Sequence, residues 1–110
     1  MNKRILPSLF LAILSSQVFG YEEEDLDKFL RVNQCEKCDL ALVDLTGMNL
    51  SKASLIESDL FGAKLSRADL SEAELVGVNL IEADLSQTNL TAANLIEADL
   101  WGAILIGSDL

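Results

Sequence analysis

The sequence predicts an all-β solenoid, a chain wound as a coil of short extended segments around a core of leucines. Three observations predict it. Leucine recurs at every fifth position from Leu40 to Leu110 without a break. The residue two before each leucine is mostly small, as at Ala68, Ala73 and Ala83. The residue just before it is mostly Asp or Asn, as at Asp69, Asn79 and Asp84.

A period of five fits neither regular element. In an α-helix five residues advance about 500°, so successive leucines would spiral round the axis and form no stripe. In a continuous strand side chains alternate with period two, so an odd spacing would put every second leucine on the wrong face. Three extended residues followed by a two-residue corner resolve the conflict. The leucine and the residue two before it point inward together, and the corner resets the phase. The Asp or Asn side chains can accept hydrogen bonds from nearby backbone amides and favour turns.

Residues 1–20 form a separate segment. Lys3 and Arg4 precede the mostly apolar run Ile5 to Leu14, and "SSQVFG" follows. A charged start, a short apolar middle and small residues at the cut describe a secretory signal cleaved after Gly20. An uncleaved anchor is the alternative, but a run of about ten residues is too short to cross a bilayer. No stretch of 18 or more apolar residues occurs, so no membrane span is expected after cleavage.

Residues 21–34, "YEEEDLDKFLRVNQ", break the five-residue pattern. Leu26, Phe29 and Leu30 are spaced as one helical face, and the acidic run Glu22 to Asp25 suits a helix start. This segment is expected to be a short helix capping the first coil, with docking of a partner as the alternative.

The coil itself is expected over residues 35–110. Cys35 and Cys38 sit at its start, in "CEKC", and both should point inward. Export implies an oxidising compartment, so they are candidates for a disulfide, with buried thiols as the other structural outcome. A redox C-x-x-C normally sits near a βαβ pattern, and a zinc site needs about four ligands. The chain has two cysteines and no histidine, so neither a metal nor a cofactor is expected.

The repeats from Cys38 to Leu110 resemble the pentapeptide-repeat family, whose motif is A-(D/N)-L-x-x. Fifteen of them stand in register. The resemblance implies a right-handed quadrilateral β-helix with four repeats per coil, hence just under four coils here. Lys64 and Ile104 depart from the usual Asp or Asn, and Met48 and Val78 are bulky for the inward position.

With four repeats per coil, residues twenty apart stack. One outer ladder then holds Ala41, Phe61, Ile81 and Trp101, and the next face round holds Ile56, Val76 and Ile96. The other two ladders are mostly Ser and Thr. The apolar ladders can reinforce stacking, or they can form an interaction face. In the second case the anchors are Ile56, Phe61, Val76, Ile81, Ile96 and Trp101. The ladder of Asp39, Asp59, Asn79 and Asp99 has the same two readings, backbone bonding at corners or a cation site, and the first is preferred.

The array stops in register at "ILIGSDL". Ile104, Ile106 and Leu110 make a candidate association edge, since an open edge invites pairing. In the family, dimers joined through carboxyl-terminal coils are known, so a homodimer by this route is an expectation.

Composition narrows the function. Loss of Lys3 and Arg4 leaves six basic and 18 acidic side chains, a net charge of −12 against −10 for the full chain. That charge would be repelled by nucleic-acid phosphates. There is no histidine to serve as a general base near neutral pH, and no glycine-rich phosphate loop, so no enzyme is expected. The preferred expectation is an exported structural or protein-interaction module with an unidentified protein partner. The expected destination is a bacterial periplasm, with the cell exterior or a thylakoid lumen as alternatives. The competing expectation comes from the family: some members bind DNA gyrase as acidic, rod-shaped mimics of the duplex. An export signal disfavours it.

Overall fold

The computed structural model describes residues 20–110, so the expected signal lies outside the described residues apart from Gly20. Among the described residues there is one helix, α1 (Glu23–Val32), shorter than the 21–34 segment expected. Glu23, Glu24 and Asp25 fill its first turn and Arg31 its last, each matching the sign of the helix dipole. Asn33 ends it in the left-handed conformation, and its N–H donates to the Phe29 carbonyl. α1 buries Leu26 and Phe29 but leaves Leu30 exposed, contrary to the three-residue face expected. Leu30 lies about 100° round the helix from Phe29, too far for a narrow seam against one coil.

From Gln34 onward the backbone pairs in parallel with itself twenty residues on: Asp39 with Asp59, Asp59 with Asn79, Asn79 with Asp99. A turn interrupts every fifth residue, so each coil has four corners and four walls. No wall is long enough to be a strand. Three residues separate successive turns, and only one of them, the residue before leucine, forms a bridge.

The hydrogen bonds explain the repeat. Around Leu40, the Leu40 and Leu42 N–H groups donate to the Asp59 and Phe61 carbonyls of the next coil, each at 2.8 Å. The Val43 N–H closes the turn onto the Leu40 carbonyl at 3.2 Å. In the next coil the Asp59 N–H donates back to the Cys38 carbonyl at 2.8 Å. In coils with a neighbour on both sides, four of the five N–H groups per repeat thus find backbone partners. The fifth, on the residue after leucine, cannot reach another coil. Where an Asp or Asn stands two before, it donates instead to that side-chain oxygen, as Phe61 N–H does to Asp59 Oδ1 at 3.0 Å. The same bond recurs at Asp44, Asn79 and Asn94 among others. The Asp/Asn preference is therefore backbone accounting, since an unpaired amide is costly.

The corners carry strain. The second turn residue has positive φ throughout, including Leu42 (φ 64) and Glu72 (φ 60), where a non-glycine residue costs about 1 kcal/mol. Inter-coil hydrogen bonds hold it there. Gly62 (φ 63) meets a second demand: a Cβ would lie 2.7 Å from Leu42 Cδ2, which lies over it.

Inside, every fifth-position leucine from Leu40 to Leu90 is buried, and small residues fill the remaining shaft, whereas Leu42 at a corner is exposed. Two inward polar residues are satisfied: Ser58 Oγ donates to the Cys35 carbonyl at 2.7 Å, and Thr88 Oγ1 to the Leu65 carbonyl at 2.8 Å. Val78 is accommodated, but Met48, expected inside, is 38% exposed. It lies in the first coil, where Asn49 beside it pairs with Asp69 of the next coil and with no coil before it.

Candidate functional site

The two apolar ladders occupy corners, which corrects their expected placement on faces. Ile56, Val76 and Ile96 each open one turn, and Phe61, Ile81 and Trp101 open the next. Between these corners lies a single wall whose outward positions are Asp39, Asp59, Asn79 and Asp99. The acidic ladder and the apolar ladders therefore form one continuous surface. Ile56, Val76 and Ile81 are half-buried against their neighbours, whereas Phe61 is 37%, Ile96 63% and Trp101 71% exposed.

Hydrogen bonds order the acidic stripe. Asp39, Asp59 and Asp99 accept the Ala41, Phe61 and Trp101 N–H groups, at 3.3, 3.0 and 3.1 Å. Asn79 Nδ2 donates to Asp59 Oδ1 at 3.1 Å, which places an amide between carboxylates. This is the backbone role expected of these residues, and it uses one oxygen of each carboxylate.

Elsewhere the corner pattern perturbs titration. Hydrogen bonds from the Ser71 hydroxyl and then the Ser71 backbone hold Asp69 below the ordinary aspartate range. Ser86 does the same for Asp84, and Thr46 for Asp44.

Cys35 and Cys38 are buried and joined by a disulfide, with Cα atoms 5.6 Å apart. Asp25 of α1, which the sequence did not single out, accepts the Asp39 N–H through Oδ2 at 2.7 Å and so ties the helix to the first coil. Asp25, Cys35 and Cys38 have their donor atoms within 4.8 Å of one another. The sulfurs are consumed in the disulfide and offer no thiolate for a metal. A cleft of about 220 Å³ opens beside them, lined by Lys28, Val32, Gln34, Cys35, Glu36 and Ser54.

The candidate association edge is dispersed over the last coil. Ile104 lies mid-wall, Ile106 opens a corner and Leu110 falls on the core line; all three are exposed.

The model of the pentapeptide repeats matches residues 38–75 and 73–110. No curated protein matches the chain. Among solved structures, a pentapeptide repeat protein from Nostoc is 25% identical with a TM-score of 0.71, over 78% of this chain and 72% of that one. A pentapeptide repeat protein from the thylakoid lumen of Arabidopsis thaliana is 31% identical with a TM-score of 0.61, over 63% of this chain. The matched region spans 48% of that protein's length. The family match runs from residue 38 to residue 110, two-thirds of the chain and the whole of the leucine register, and the chain belongs to the pentapeptide-repeat family.

Proposed function

We propose that this chain is an exported, non-catalytic structural or protein-interaction module wound as a right-handed quadrilateral β-helix. Its contact surface is the wall bounded by Ile56, Val76 and Ile96 on one corner and Phe61, Ile81 and Trp101 on the other. One observation carries the reading: apolar side chains line both corners of the same wall through successive coils, and Phe61, with a coil on either side of it, is still exposed. Large exposed apolar groups in one contiguous patch mark contact sites, and aromatic anchors dominate their energetics.

Export is supported by the charged-then-apolar start of the sequence, by the disulfide, and by likeness to a protein of the thylakoid lumen. A periplasm, a cell exterior and a thylakoid lumen all suit these features, the periplasm being preferred. A homodimer through the last coil is a further part of the proposal.

The test is cross-linking and recovery of partners from the chain's own compartment, beside a Trp101→Ser variant. The variant is expected to lose most of the recovered protein. Equal recovery of the same partners would end the contact-surface reading, and finding the chain in the cytoplasm would end the export reading.

A further inference from the structure

The wall between the apolar ladders holds most of the coil's charge imbalance. Residues 36–42, 56–62, 76–82 and 96–102 make up this wall and its two corners. They carry seven acidic residues and one basic one, a net charge of −6. The opposite wall and its corners, residues 46–52, 66–72, 86–92 and 106–110, carry three acidic and two basic residues, a net charge of −1. The one base on the acidic wall, Lys37, is already paired with Glu57 at 3.7 Å.

The charge is arranged as well as concentrated. Asp39, Asp59 and Asp99 run along the midline, where stacked coils repeat about every 4.8 Å. One oxygen of each caps a backbone amide. Glu57, Glu82 and Glu97 stand at the corners beside the apolar ladders. Burying this wall against an uncharged apolar partner would strip water from carboxylates with nothing in return. A partner with cations between apolar groups matches both features, because its charges meet the midline while its apolar side chains meet Phe61, Ile96 and Trp101.

We propose that this wall docks a basic amphipathic polypeptide segment, one in which lysine or arginine alternates with large apolar residues. The proposal rests on the contact-surface reading and adds the chemistry of the partner.

Trp101 is the only tryptophan in the chain and reports on the wall directly. The probe is a synthetic peptide of alternating leucine and lysine, titrated against the chain while Trp101 emission is followed. Two control peptides replace lysine by glutamate or leucine by serine. The protein variant is Asp59→Asn with Asp99→Asn. Asparagine keeps the corner bond, as Asn79 does to the Ile81 N–H at 3.0 Å, so the fold is retained.

The leucine–lysine peptide is expected to shift the emission to the blue with a micromolar Kd. Both control peptides are expected to bind at least tenfold more weakly. The double variant is expected to raise the Kd about tenfold, at up to about fivefold per exposed charge pair. An unchanged Kd in the double variant, or equal binding of the leucine–glutamate peptide, overturns the charge match while leaving an apolar contact surface standing. No emission change with the leucine–lysine peptide also overturns it. A concentration-dependent blue shift of the chain alone that survives Ile106→Ser at the association edge would assign the wall to a second copy. An equal shift with phosphatidylcholine vesicles would assign it to lipid, and either result overturns the proposal.

Discussion

Met48 and Ala68 stand one coil apart in the same inward column, yet Ala68 is 2% exposed and Met48 38%. The leucine columns repeat the contrast. Leu60 and Leu80 are buried, whereas Leu100 in the last coil is only half-buried. The three leucines are the same side chain at the same position of the repeat, and the bulk of Met48 beside Ala68 adds to the contrast. What differs is the neighbour: the middle coils are covered on both sides, the first by α1 over part of its area, and the last on one side among the described residues. Burial here belongs to the contact between coils, so stability should be close to a sum over adjacent coils.

The sharpest break of this comparison is Leu75→Asp. It places a charge in a shaft where Leu75 is 0% exposed, and an unpaired buried charge costs more than such a domain can supply. The cooperative thermal transition should disappear, and a melt like that of the parent chain would refute the core assignment. Next comes the pair Leu60→Ala and Leu100→Ala. The first should cost about 3 kcal/mol and the second about 1 kcal/mol, because only the first leaves an enclosed cavity. Equal losses in urea unfolding would mean that burial by neighbouring coils is not what counts.

Opening the Cys35–Cys38 disulfide with a reductant removes a short covalent loop, worth about 2 kcal/mol in the chain-entropy account. The effect should be local. Hydrogen exchange should quicken over α1 and the first coil while the amides of residues 60–90 keep their protection.

Acid should act more gently. The folded pKa values of Asp44, Asp69 and Asp84 lie below the ordinary value that the unfolded chain would show. Their stabilisation is then present above the unfolded pKa and lost as the pH falls through the folded one. Replacing Ser71 and Ser86 by Ala should reduce the acid-induced fall in melting temperature. The smallest effect belongs to Glu72→Lys, at an exposed corner with positive φ that lysine tolerates equally at Lys52. It should change stability by less than about 0.5 kcal/mol.

Much of this fold was legible because the repeat is a local device. The inward leucine, the small residue two before it and the capping Asp or Asn each solve a problem within five residues. The helix was legible in kind, from Leu26, Phe29 and the acidic start, but its seam was too narrow for Leu30. The candidate surface was legible as columns of residues. Its shape was not, because the ladders lie on corners and enclose the acidic stripe of Asp39, Asp59 and Asp99. Asp25 was legible only as part of the acidic helix start, and its tie to the first coil was missed: nothing in "EEEDLDK" distinguishes the one carboxylate that reaches the Asp39 amide.

By itself the sequence determined that a leucine per segment faces a common axis, since the corner bonds and phase resetting are complete within one repeat. Only the tertiary structure decided how many segments close a coil, which corners stack into one surface, and how much of the first coil the helix covers. Those outcomes depend on amide–carbonyl pairs twenty residues apart and on side-chain contacts between separate elements, which no five-residue pattern specifies.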